Sequence, residues 1–270
     1  MEDIVLMVLV LAFTGLIAGL GAGLLGVGGG FIMVPAQFWV LTDFAHLDPT
    51  LATRVAFATS LAVILPTAIS SAYCHHRNHA VDWDMIRLMA LPGFLMAFGG
   101  AYVATNVHGD GLRLVFGVLL LGAAVRMFFR SSVGNIDIIP HRALFYIGGG
   151  VLFGFLSGLL GIGGGYLIVI YLTAFCGFTI HRAVATSTGF LVFAAMGGII
   201  AYTLYGWGVT GIPGPSLGYI DLPQWAVLTL TSIPASYLGV HISHLTSPRR
   251  LEYLFVLLLF VSSMKMFGLF

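Results

Sequence analysis

Residues 22–35 read AGLLGVGGGFIMVP, and residues 157–170 read SGLLGIGGGYLIVI. Glycine costs about 1 kcal/mol relative to alanine inside a helix, and three in succession unwind one rather than build a face. Both copies lie within long runs that lack Asp, Glu, Lys and Arg, Ile4–Thr42 and Ala143–Ile180. As one straight helix, either run would extend on the order of 60 Å at about 1.5 Å per residue. That is twice the roughly 30 Å of a bilayer's hydrocarbon core. Each run is therefore read as two segments, broken at GVGGG and at GIGGG.

The repetition extends beyond the phrase itself. At an offset of 135, Gly15, Gly19, Gly23, Gly26, Gly28, Gly29 and Gly30 fall on Gly150, Gly154, Gly158, Gly161, Gly163, Gly164 and Gly165. Ala58-Thr59-Ser60 recurs as Ala185-Thr186-Ser187, shortly after Arg54 and Arg182 respectively. GLRLVFGVLLLGAAVRMF (111–128) aligns with RLEYLFVLLLFVSSMKMF (250–267). The chain reads as a duplication, with residues 1–135 and 136–270 as first and second repeats of one transmembrane domain. After the broken pair, each half is expected to hold three further helices, near 52–74, 86–106 and 112–129, then near 183–205, 224–243 and 250–268.

Composition sets the class. The chain is 59% hydrophobic and 8% charged, with a mean hydropathy of +1.03, whereas a soluble domain carries roughly a quarter charged residues. The expected fold is an all-α membrane protein, an internally duplicated helical bundle of 8–10 membrane segments that meets the lipid bilayer on all sides. A net charge of +1 gives no reason to expect nucleic acid. Cys74 and Cys176 cannot make a disulfide framework. The start, MEDIVLMVLVLAF, is acidic where a signal peptide would be basic, so it reads as the first membrane helix; no soluble domain is expected.

Charge counts the segments. With five per half, one face carries Arg77, Arg87, Arg126, Arg130, Arg142, Arg182, Arg249 and Arg250, and the other only Arg54, Arg113 and Lys265. Without reversal at the glycines, the split is nearly even. The positive-inside rule favours five plus five with both termini outside. An odd number of segments per half makes the halves inverted repeats, a plan used by transporters with broken helices at the repeat interface.

Several motifs bear on chemistry. GAGLLG (21–26) literally matches G-x-G-x-x-G, but it lies in a membrane run rather than a βαβ unit, and the second copy, LSGLLG, breaks it. No cofactor is expected. The stripes Gly15/Gly19/Gly23 and Gly150/Gly154/Gly158 suit close helix packing, within the chain or in a homodimer. The breaks at Gly28, Gly29, Gly30 and Gly163, Gly164, Gly165 expose amides at the positive ends of the following half-helices, an anion-binding arrangement. Thr59, Ser60, Thr186 and Ser187 are either additional donors or bonds back to the preceding turn. Arg54 and Arg182 either attract anions at a cavity mouth or are ordinary loop charges. No carboxylate or lysine falls mid-span, so no coupling site is evident, and Arg126 and Lys265 are read as snorkelling to the interface. CHHRNH (74–79) reads as a loop of solvated histidines rather than a metal site. With no Ser-His-Asp arrangement, zinc-protease signature or P-loop, no enzyme is expected.

At the paired G-L-L-G-[VI]-G-G-G motifs and the Ala-Thr-Ser segments, the chain resembles the TauE/SafE family, the sulfite exporters, over nearly its whole length. The doubled motif carries the resemblance; a single copy would not. The resemblance implies secondary transport, most plausibly export, of sulfite, organosulfonates or related sulfur-containing anions across the bacterial cytoplasmic (inner) membrane by alternating access. A passive anion channel or facilitator is the alternative. By position, the substrate lining is Gly28–Gly30 with Thr59 and Ser60, and Gly163–Gly165 with Thr186 and Ser187. Pro35 follows the first motif where Ile170 follows the second, so the half-sites need not contribute equally.

Overall fold

The computed structural model describes residues 2–26, 28–128, 143–243 and 248–268. Helices dominate: α1 (Glu2–Leu25), α2 (Gly30–Trp39) continued by a π turn (Val40–Phe44), α3 (Pro49–Arg77), α4 (Trp83–Asn106), α5 (Gly109–Phe128), α6 (Ala143–Leu160), α7 (Gly165–Phe175), α8 (Ile180–Tyr205), α9 (Leu222–Ser243) and α10 (Pro248–Met266). A two-stranded hairpin, β1 (Ser216–Leu217) and β2 (Ile220–Asp221), joins α8 to α9. Among the described residues, α1, α3, α4, α6, α8 and α9 are long and apolar enough to cross a membrane. The shorter α2 and α7 and the more charged α5 and α10 complete the bundle. The expected repeat boundary at 135/136, Arg130 and Arg142 lie outside the described residues, as do the side chains of Arg249 and Arg250.

Local chemistry sets the helix starts. Asp48 caps α3 by accepting the amides of Thr50 and Leu51, with Pro49 in the first turn. Thr179 caps α8 through the Arg182 amide. Both are oxygen-bearing N-caps that satisfy amides lacking an intrahelical acceptor.

Glycine stripes set the long-range packing. Along α1, Gly15 faces Leu228 and Thr231 of α9, Gly19 faces Ser232, and Gly23 faces Ser236 and Val240. Residue numbers rise together, so α1 and α9 run parallel. Along α6, Gly150 faces Met89 of α4, Gly154 faces Gly93, and Gly158 faces Ala97; this pair is parallel too. Each half thus lends its first helix to the other half's fourth. Lipid is as apolar as leucine, so close backbone approach, rather than hydrophobicity, selects these contacts. The six stripe glycines are spent inside the chain.

α3 and α8 form the centre, with 78% and 72% of their spans buried against 33% for α1. They are antiparallel: Leu61 of α3 meets Gly198 of α8, while Ile64 and Leu191 meet around Gly28 and Gly163.

The cations sort by end. Arg54 donates to the Val107 carbonyl at 3.3 Å, Arg113 lies over Phe38 at 4.7 Å, and Lys265 over Trp39 at 5.8 Å. These three share one end of the bundle, as the charge count expected. Arg182 pairs with Asp82 at the other. Two expectations need correction. Cys74–Arg77 is the last turn of α3 rather than a loop, with Cys74 and His75 buried; apolar neighbours extend the helix, and the cationic turn complements its dipole. Arg54 likewise stands in the second turn of α3 and Arg182 in the first turn of α8, not in loops.

Candidate functional site

The glycine phrases make two sharp reversals. Gly26, Gly28 and Gly29 all have positive φ, and so do Gly161, Gly163 and Gly164. Such left-handed backbone costs a side-chain-bearing residue about 1–2 kcal/mol, which is why glycine recurs there. After the first reversal, Gly29 lies against Ala18 of α1. After the second, the Tyr171 hydroxyl donates to the Phe145 carbonyl at 2.6 Å, tying the far end of α7 to the start of α6. Each broken pair returns to the end from which it came.

The two reversals touch. A Cβ on Gly30 would lie 2.8 Å from both the Gly161 carbonyl oxygen and the Ile162 Cα. Gly30 and Gly165 open α2 and α7, so the amides at these starts have no acceptor within their own helices. Beside Gly164 and Gly165 is a small apolar cavity of ≈ 30 Å³, also lined by Phe31, Ile162, Tyr166 and Leu259. That is room for about one water.

The central hydroxyls cross between halves. Ser60 Oγ of α3 lies on the Gly161 carbonyl, and also on Phe57 O at 3.1 Å. Ser187 Oγ of α8 lies 3.1 Å from the Gly26 carbonyl and 2.8 Å from Val184 O. Each serine therefore combines the bond to its own preceding turn with a tie to the opposite glycine break. The Asp221 amide donates to Thr59 Oγ1 at 3.0 Å, and the Asp82 amide to Thr186 Oγ1 at 3.1 Å. The threonines thus face the starts of α9 and α4. All four hydroxyl residues are buried. Removing Ser60 or Ser187 (to alanine) deprives a buried glycine carbonyl of a donor, an expected loss of about 1–3 kcal/mol. Thermal unfolding of the detergent-solubilised variants checks it.

The arginines lie apart from this cluster. Arg182 Nη2 reaches Asp82 Oδ2 at 2.5 Å and stacks over Phe178, at 4.6 Å from the ring centre; through Asp82 it connects to Thr186. Arg54 bonds to Val107 at the opposite end.

The sequence reading passed over Asp82, Asp221, Gln224 and Gln37. Asp82 caps α4 through the Met85 amide, and Asp221 caps α9 through the Gln224 amide, both at 3.1 Å. A capping residue ahead of each fourth helix was visible as VDWD and IDLPQ, but the longer α8–α9 connection displaced it from the repeat's spacing. Asp221 is only 2% exposed; burial pushes its carboxyl above the usual range, against the opposing pull of Gln224's donors. Gln37, two turns beyond Gly30, is fully buried with neither amide atom partnered; an isolated polar residue in an apolar run gave no signal of this. Among the described residues, no three His, Cys, Asp or Glu side chains cluster as a metal site.

Among the described residues, six apolar spans around two touching helix breaks define a multi-pass, all-α integral membrane protein. Residues 11–266 match the family described as sulfite exporter TauE/SafE, and the chain belongs to that family. It is 31% identical to a probable membrane transporter protein of Haemophilus influenzae over 260 residues, covering 96% of this chain and 98% of the relative. A probable membrane transporter protein of Methanocaldococcus jannaschii is 27% identical, over 93% of this chain and 91% of its own length. No solved structure matches the chain.

Proposed function

We propose that the protein is a secondary transporter that exports a small sulfur-containing anion, such as sulfite or an organosulfonate, across the cytoplasmic membrane. The observation that carries this reading is the contact between the two glycine breaks in the interior, with the starts of α2 and α7 beside it. Helix starts present amides that lack an acceptor within their own helix, an arrangement that suits an oxyanion. Gly28–Gly30 and Gly163–Gly165 would supply these donors, with Thr59, Ser60, Thr186 and Ser187 lining the same core. The proposed lining residues include no cation to grip the anion, so release requires breaking no strong ion pair.

The parallel pairing of α1 with α9 and of α6 with α4, around antiparallel α3 and α8, supports an inverted repeat. In that arrangement the halves rock against each other about the serine–glycine ties, opening the core to one side at a time. The arginine-rich end at Arg77 and Arg182 then faces the cytoplasm, leaving both termini outside.

The test is uptake of radiolabelled sulfite into proteoliposomes, competed with sulfate, thiosulfate and small organosulfonates. Saturable counterflow blocked by one competitor class supports the carrier. Unitary currents would instead favour a passive channel, and absence of flux would overturn the anion assignment. Arg182→Ala supplies a check on electrostatic attraction at the mouth. Loss of this half-exposed ion pair should change stability by no more than about 1 kcal/mol. Uptake should fall at low ionic strength and recover towards wild type as salt screens the remaining field.

A further inference from the structure

The two capping aspartates occupy corresponding places but different environments. Asp82 keeps partial access to water, with its side chain 16% exposed, and is neutralised by Arg182. Asp221 is buried where the α8–α9 hairpin folds over α3, and its amide is bound to Thr59. Among the described residues its carboxylate hydrogen-bonds only to Gln224, through the backbone amide at 3.1 Å and Nε2 at 3.2 Å. No cation pairs with it among the described residues.

The groups around it can be named element by element. α3 contributes Thr59 and, farther towards its start, Arg54, whose guanidinium is directed to Val107. The hairpin contributes Ser216, opposite Asp221 in register, and Tyr219. α9 contributes Gln224. Tyr202 of α8 meets the Tyr219 ring edge-on at 6.3 Å and gives its own hydroxyl proton to Gly158. Arg54 is the only one charged at neutral pH, and it does not reach the carboxylate.

Gln224 Oε1 is a buried acceptor with no donor. An ionised Asp221 cannot serve it, because a carboxylate only accepts. A proton on Oδ2 creates a donor beside the amide, which can turn to present Oε1. Protonation therefore removes a buried charge and supplies the missing donor type at the same place.

We infer that Asp221 is the proton-binding residue of the transport cycle, holding a proton while the hairpin is closed over Thr59 and releasing it when that contact opens to water. The inference rests on the transport reading above. The step is a simple acid–base exchange: a proton from water adds to the carboxylate on one side and leaves to water on the other. Because Thr59 lies in the anion-binding core, the hairpin closure that buries Asp221 is felt directly by a proposed lining residue. Proton occupancy and substrate access are thereby joined.

Asparagine caps helices as well as aspartate does, so Asp221→Asn keeps the cap while removing the titration. The expected result with radiolabelled methanesulfonate, which stays ionised near neutral pH, is specific. Asp221→Asn continues to exchange probe in counterflow, but loses accumulation driven by a pH gradient, falling to the level seen without a gradient. Asp82→Asn retains gradient-driven accumulation. Infrared difference spectra of the full-length protein in lipid should show a carboxylic C=O band that titrates above the usual carboxylate range. That band should vanish in Asp221→Asn and shift in Asp221→Glu. Gradient-driven accumulation that survives Asp221→Asn, or a wild-type spectrum without the band, overturns this assignment while leaving transport intact. Wild-type protein that moves neither methanesulfonate nor sulfite in any mode overturns the transport reading itself.

Discussion

Gly158→Ala should unfold at markedly lower temperature than wild type, with a loss of about 3 kcal/mol or more, at the upper end of overpacking costs. The new Cβ would overlap the Ala97 carbonyl oxygen and come within 2.7 Å of the Ala97 carbonyl carbon. Both sides of that clash are backbone, so no rotamer change relieves it. α6 must lift away from α4, which also strains the bond from the Tyr202 hydroxyl to the Gly158 carbonyl at 2.9 Å. Gly122→Ala on α5 is the control of opposite sign. Nothing lies within 4 Å of its added Cβ, so helix propensity should stabilise the protein by about 0.5–1 kcal/mol. Thermal unfolding of both detergent-solubilised variants decides the matter. Equal behaviour would mean that the close α4–α6 contact does not limit stability.

Substitutions in the glycine breaks should act on transport, and unequally. Gly30→Ala places a methyl between the two reversals, 2.8 Å from Gly161 O and 2.9 Å from the Ile64 side chain. Gly29→Ala adds left-handed strain at φ +77 to a close approach of 2.7 Å to the Ala18 carbonyl. Both variants should reach the membrane and lose sulfite flux. Gly164→Ala meets nothing closer than 3.4 Å, so only the strain of φ +70 remains, costing about 1–2 kcal/mol. It should retain measurable flux, whereas leucine there would fill the small cavity and abolish it. Parallel measurement of flux and membrane abundance separates these effects from loss of insertion. Normal flux in both Gly29→Ala and Gly30→Ala would remove the breaks from the site.

The same two glycine phrases separate what was legible in the chain from what was not. Three consecutive glycines amid apolar residues predict a break wherever they occur, because the preference is local to the backbone. Both breaks appear, with matching positive φ at Gly26, Gly28 and Gly29 and at Gly161, Gly163 and Gly164. The membrane class follows from composition in the same local way, and the helices after each break lie close to their expected places. Charge resists burial in lipid, so Arg54, Arg113 and Lys265 gather at one end of the bundle.

Partner choice was not readable. An all-round apolar helix has no polar face to mark the opposite side as buried, so nothing in Gly15/Gly19/Gly23 names α9, or in Gly150/Gly154/Gly158 names α4. Ser60 and Ser187 read either as additional donors or as serines bonded to their own helices; the crossing ties to Gly161 and Gly26 exist only once α3 and α8 lie antiparallel. Nothing in the sequence singled out Asp221, and the hairpin folded over Thr59 made it a buried carboxylate. Sequence by itself determined the membrane class and the sites of the two helix breaks, since each depends on residues near one another in the chain. Tertiary structure alone decided which backbones touch and which polar groups leave water, since those depend on surfaces that meet only after the helices have packed.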